Sequence, residues 1–170
     1  MSLAIRAETI ADYAAIHEIN ALAFGRDDEA RLVEAIRASA EFIPELSLVA
    51  VDGTTVVGHV LFSRIALQTS EGALPALALA PMAVRPKFQN RGVGCELVRH
   101  GLDDCRRLGH RIVVVVGHPN YYPRFGFTSA RALGLEAPYR DAAFMALELM
   151  PGVLRGVRGT VEYPAAFSQV

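Results

Sequence analysis

Ala80-Pro81-Met82-Ala83-Val84-Arg85-Pro86-Lys87-Phe88-Gln89-Asn90-Arg91-Gly92-Val93-Gly94 reads as the end of an apolar strand, a proline-broken turn and the start of a helix. Leu74 to Val84 is the strand; Pro86 pushes Arg85 out of helical backbone, so the strand stops there. From Arg91 to Leu108, apolar Val93, Leu97, Val98 and Leu102 oppose polar Glu96, Arg99, Asp103, Asp104, Arg106 and Arg107, and Gly109 closes an amphipathic helix. The first-turn N–H groups of that helix have no intrahelical acceptor. Gly92 and Gly94 bring no Cβ, and the helix dipole adds about half a positive charge, so an anion the size of a pyrophosphate fits. A dinucleotide fingerprint would need glycine where Leu97 stands, and a Walker loop would need Gly-Lys-Ser/Thr; both are missing. For two glycines alone, a helix start without ligand is the competing reading.

Outward from this turn, Ile112 to Val116 is a β-branched run suited to a strand buried on both faces, ended by Pro119. The intervening helix makes it a parallel partner of the 74–84 strand by a right-handed crossover. Upstream, Leu46 to Val51 and Thr55 to Leu67 flank Asp52-Gly53, a tight hairpin signal. Leu3 to Ala7 alternates as a strand, and Thr9 can cap a helix bearing Ile10, Tyr13, Ala14, Ile16, Ile19 and Leu22. After Gly25, Asp27 or Asp28 can cap a second helix with Leu32, Val33 and Ile36 on one face. Downstream, a short helical segment over Tyr121–Phe125 stops at Gly126, and Ala143 to Leu149 and Val157 to Tyr163 read as late strands. Stretches 128–141 and 150–156 read as loops. The expected class is α+β with a mixed, mostly antiparallel sheet, in one domain over residues 1–170.

Composition narrows the partners. A chain of 170 residues that is 52% hydrophobic, with 17 basic and 18 acidic residues, has no basic block for a nucleic-acid backbone. No apolar run is long enough for a membrane helix, and the start lacks the pattern of a signal peptide. Cys95 and Cys105 fall on different turns of one helix, which disfavours a disulfide and fits the reducing cytoplasm. The five histidines make no metal-binding pattern with them, so no metal is expected.

Gln89-Asn90-Arg91-Gly92-Val93-Gly94 matches the Gln/Arg-x-x-Gly-x-Gly/Ala signature of the GCN5-related N-acetyltransferase (GNAT) superfamily. The flanking 80–86 stretch, Gly117-His118-Pro119-Asn120-Tyr121-Tyr122-Pro123-Arg124-Phe125-Gly126-Phe127, Phe144 to Leu149 and Val161 to Phe167 resemble its bacterial YhbS-like branch. The resemblance implies two central parallel strands, 76–84 and 111–117, that splay apart to admit the pantetheine arm of acetyl-CoA, with a bulge near Met82, Ala83 and Val84. Pro81 and Pro119, which donate no hydrogen bond, agree with incomplete pairing there. It further implies acetyl transfer to a small-molecule or peptide amine by direct attack in a ternary complex. Backbone N–H groups of Met82 or Val84 would face the thioester carbonyl, and those of Gln89, Asn90, Arg91, Gly92, Val93, Gly94 and Cys95 would hold the pyrophosphate.

By the same resemblance Tyr122, four residues before Gly126, is the candidate general acid for the departing thiolate and a cofactor contact; packing against the core is its alternative. Where many family members carry Asn seven residues earlier, this chain has Val115. His118, at the mouth of the expected cleft, is left without a catalytic role. Glu29 can act as a base through water, or simply complement a helix dipole as a first-turn acid. Arg131, Glu136 and Arg140 can line an acceptor site, or read simply as solvated loop charges. A module that holds acyl-CoA without transferring the acyl group, or an interaction domain without ligand, are the rival readings. Whether the late strands pair in a homodimer or only complete the sheet stays open.

Overall fold

The computed structural model describes residues 1–140 and 142–168. Among these residues, nine strands form one sheet: β1 (Leu3–Ala7), β2 (Ser47–Asp52), β3 (Thr55–Thr69), β4 (Gly72–Val84), β5 (Ile112–Val116), β6 (Thr128–Ser129), β7 (Leu135–Glu136), β8 (Phe144–Glu148) and β9 (Gly159–Glu162). Three helices pack on it: α1 (Tyr13–Phe24), α2 (Asp28–Arg37) and α3 (Val93–Arg107). The main path runs β1-β2-β3-β4-β5-β8-β6. β3 is long enough for β2 to pair with its first half and β9 with Ala66–Thr69.

Alternation along the strands separates two buried faces. Leu77 and Leu79 of β4, Val113 and Val115 of β5, and Met145 and Leu147 of β8 meet Val93, Leu97, Val98 and Leu102 of α3. Each fully buried aliphatic side chain of this kind contributes about 2 kcal/mol. On the opposite face, Val49 and Leu61 pack against Ile16 of α1 and Leu32, Val33 and Ile36 of α2. Further along, Ile112, Val114, Phe144 and Ala146 pack with Leu135, Leu154 and Val161.

Three features depart from the sequence reading. The 128–141 stretch contains β6 and β7, two residues each, which are too short to show a period and exist because β8 and β9 offer them an edge. Ile10 is not on the apolar face of α1: Thr9 precedes a 3-10 turn over Ile10–Asp12, which leaves Ile10 81% exposed. Leu22 is likewise 53% exposed. The β4 bulge lies at Ala80–Pro81, immediately before Met82, where two residues oppose Leu61 of β3.

A polar chain crosses the α1/α2 face. Arg37 holds Glu8 at 2.8 Å, Ser47 Oγ donates to Glu8, and His59 Nε2 lies 2.9 Å from Ser47 Oγ. Asn20 Nδ2 lies 3.5 Å from His59 Nδ1 and donates to Ile16 O at 3.0 Å. Burial, helped by the charge of Arg37, lowers the His59 pKa to about 3 and keeps the ring neutral. The unfolded chain binds a proton at this histidine below about 6.5 that the native state refuses, so native stability falls as pH drops from 6.5 toward 3. Urea unfolding at pH 7, 5 and 4 should show that loss in the wild type and a smaller one in His59→Gln. Equal slopes would remove His59 from the account.

Candidate active site

β4 and β5 pair in parallel only at Leu77–Val113 and Ala78–Val114, although β4 runs on to Val84 and β5 to Val116. Arg85 N donates to Val57 O at 2.8 Å, which sets the phase of the antiparallel β3–β4 ladder. Ala83 then faces His59 across a bonded pair, while Met82 and Val84 turn their N–H and C=O groups toward the β5 side. One of these groups is met locally: Gln89 Nε2 donates to Val84 O at 3.1 Å.

The gap continues as a cleft of about 820 Å³. Of the candidate residues, Met82, Ala83, Val84, Gln89, Asn90, Gly92, Val93, Gly94, Cys95 and Tyr122 line it. Arg91 does not; its guanidinium sits 5.7 Å from the Phe88 ring centre. Gly92 caps α3 with φ +85°, a left-handed conformation that glycine adopts without penalty. The first intrahelical bond is Glu96 N to Gly92 O at 3.0 Å, so the N–H groups of Val93, Gly94 and Cys95 have no helical acceptor and stand at the cleft wall.

Opposite this turn, the residues after β5 fold into a 3-10 turn over Tyr122–Phe125, started by His118 O accepting Tyr121 N at 3.1 Å. Tyr122 is 7% exposed and packs edge-on against Tyr121 and Phe127. Burial pushes its phenol up to about 12. Tyr121 also reaches the cleft; its hydroxyl lies 3.5 Å from Cys95 Sγ, and its phenol is raised first by burial and then by that contact. Arg124 stacks 4.4 Å above the Tyr121 ring and donates to Tyr121 O at 2.8 Å, which places a cation beside the helix start. Tyr121 and Arg124 were not singled out from the sequence; the Tyr121-Tyr122 pair, with Arg124 three residues on in a one-turn helix, was the available signal. His118 is exposed at the cleft mouth. Val115 belongs to the α3-side core.

Glu29 is not among the cleft-lining residues and is held by Arg26 Nε at 2.9 Å, in keeping with its reading as a first-turn acid. Arg131 bonds Glu136 at 3.1 Å. A second hollow of about 460 Å³ lies by Gly134, Glu148 and Arg155, and none of the candidate site residues lines it.

The family model of the acetyltransferase (GNAT) domain matches residues 4–130. The chain belongs to the GNAT family of acetyltransferases. The uncharacterized N-acetyltransferase YjhQ of Escherichia coli K12 is 40% identical over 129 residues, covering 75% of this chain and 71% of its own. The uncharacterized N-acetyltransferase YhbS of the same strain is 36% identical over 168 residues, covering 97% and 98%. A crystal structure of E. coli YhbS in complex with CoA superposes with a TM-score of 0.89 at 34% identity, over 98% of this chain and 92% of that one. A GNAT acetyltransferase from Brucella melitensis in complex with acetyl-CoA gives 0.80 at 31% identity, over 98% of each chain. The mixed sheet with its parallel pair is thus the GNAT fold.

Gly117, at the hinge between β5 and the 3-10 turn, touches the ring that the site is built on. A Cβ there would lie 2.4 Å from Tyr122 Cε2. Gly117→Ala should therefore displace Tyr122 and cost about 1–3 kcal/mol in urea unfolding. An unchanged midpoint would show that the ring has room to move.

Proposed function

We propose that this chain transfers the acetyl group of acetyl-CoA to a primary amine by direct attack in a ternary complex. The observation that carries this reading is the unpaired gap between β4 and β5 opening onto the free N–H groups of α3. An extended pantetheine arm can hydrogen-bond along the β4 edge like a strand, while the pyrophosphate meets the α3 N-terminus, Gly92 and Gly94. Support for this cofactor comes from the CoA and acetyl-CoA complexes of the YhbS and Brucella relatives. Arg124 adds a positive charge at the phosphate end.

In the reaction the amine lone pair forms an N–C bond to the thioester carbon, and the carbonyl oxygen takes up negative charge facing the N–H of Met82 or Val84. As the tetrahedral species collapses, the C–S bond breaks and the thiolate takes the Tyr122 proton. The proton shed by the acylated nitrogen restores the phenol, so an amine and acetyl-CoA give an amide and CoA thiol. The raised pKa of Tyr122 keeps the phenol protonated at neutral pH. The Tyr121 hydroxyl, by contrast, lies 3.5 Å from Cys95 Sγ at the helix start.

Following thiol release from acetyl-CoA with an amine panel, Tyr122→Phe should lower kcat by about 100-fold and leave acetyl-CoA affinity within a few-fold. Tyr121→Phe should retain most turnover. The reverse pattern would move the proton donor to Tyr121.

A further inference from the structure

On the α1 side of the sheet, the gap between β4 and β5 opens beside Phe24, at the end of α1, and Val116, at the end of β5. Both line the cleft and both are unusually open for large apolar side chains, at 41% and 42% exposed. Val116 follows the alternation of Ile112 and Val114, so it points to the α1/α2 face, away from α3 and the anion-binding turn. Exposed apolar side chains that line a concave opening mark a surface suited to an apolar ligand group.

The charges around this mouth select against one class of amine. Among the described residues, no Asp or Glu lines the cleft. The acids of α1, α2 and the connecting turn stand outside the cleft lining: Glu18 pairs with Arg85, Glu29 with Arg26 and Asp28 with Arg31, and Glu34 lies 2.9 Å from His17 Nδ1. The basic side chains at the cleft are His118 and Arg124. An acceptor carrying several ammonium groups would lose hydration here with no carboxylate to receive them.

We infer that the acceptor is a primary amine borne on an aromatic or similarly bulky apolar body, as in an arylalkylamine, packed against Phe24, and not a polyamine or aminoglycoside. The inference rests on the acetyl transfer proposed above. The amine reacts in its neutral form: it forms the N–C bond as C–S breaks, and the one proton its nitrogen sheds returns to the Tyr122 phenol as described above.

The test compares 2-phenylethylamine, tryptamine, spermidine and kanamycin as acceptors, by CoA thiol release, in wild type, Phe24→Ala and Phe24→Asp, with acetyl-CoA binding measured by calorimetry in each. Phe24 is solvent-open at a helix end, so both variants should fold. Tryptamine should exceed spermidine in kcat/KM by about tenfold or more, and Phe24→Ala should raise KM for tryptamine by about tenfold with acetyl-CoA binding retained. Phe24→Asp should shift preference toward spermidine. Preference of the wild type for spermidine or kanamycin, or indifference to both substitutions, overturns the inference. If acetyl-CoA binds but neither arylalkylamine is acetylated, the acceptor class falls while the transferase reading stands. If acetyl-CoA does not bind the wild type, both fall.

Discussion

The structure depends on a ladder that stops. Two parallel strands in the middle of a sheet gain most by pairing along their full length, yet β4 and β5 part after Ala78 and Val114. Pro81 has no N–H to give, Pro119 ends the β5 side, and the bulge at Ala80–Pro81 shifts which β4 residues face which layer. After that shift Met82 and Val84 pack toward α3, whereas before it Leu77 and Leu79 do. Backbone groups inside a sheet carry a cost when unpaired, so the gap persists only where something else meets them. Gln89 does so for Val84 O, and an extended ligand would do so for the rest.

Both walls of the gap are anchored by packing. α3 is held by a continuous apolar stripe, which fixes its first turn at the end of β4. The Tyr121, Tyr122, Phe125 and Phe127 rings interlock under the end of β5, with neighbouring centroids 5.1 to 6.2 Å apart. A helix start on one wall and two phenols on the other, Tyr122 buried and Tyr121 half-buried, converge on the same cleft. In the proposed chemistry, anion binding, carbonyl polarisation and proton donation would share this one opening.

Much of this was legible in the sequence because it is encoded locally. Asp52-Gly53 announces the hairpin, Pro86 ends β4, and the 3.6-residue stripe from Val93 to Leu102 lays out α3. The Gln89-to-Gly94 run located the cleft wall in all but Arg91, which is not among the lining residues. What escaped was set by distant contacts. β6 and β7 exist through edges supplied by β8 and β9; the outward Ile10 follows from a 3-10 turn that interrupts the helical phase. The nearness of Tyr121 to Cys95, 26 residues apart in sequence, depends on how β5 leaves the sheet.

The central claim is that the start of α3 holds the pyrophosphate of acetyl-CoA, and calorimetric titration of acetyl-CoA into wild type and Gly92→Asp tests it most directly. A Cβ at Gly92 meets nothing within 4 Å, so Gly92→Asp adds no clash; it does strain a left-handed backbone, which aspartate bears better than most residues, and urea unfolding of the variant measures that cost separately from binding. Its carboxylate would occupy and repel at the site of the phosphates. The account predicts saturable binding by the wild type and its loss, or a drop of at least about tenfold, in the variant. Equal affinity in the two proteins, or no binding by the wild type, would contradict it.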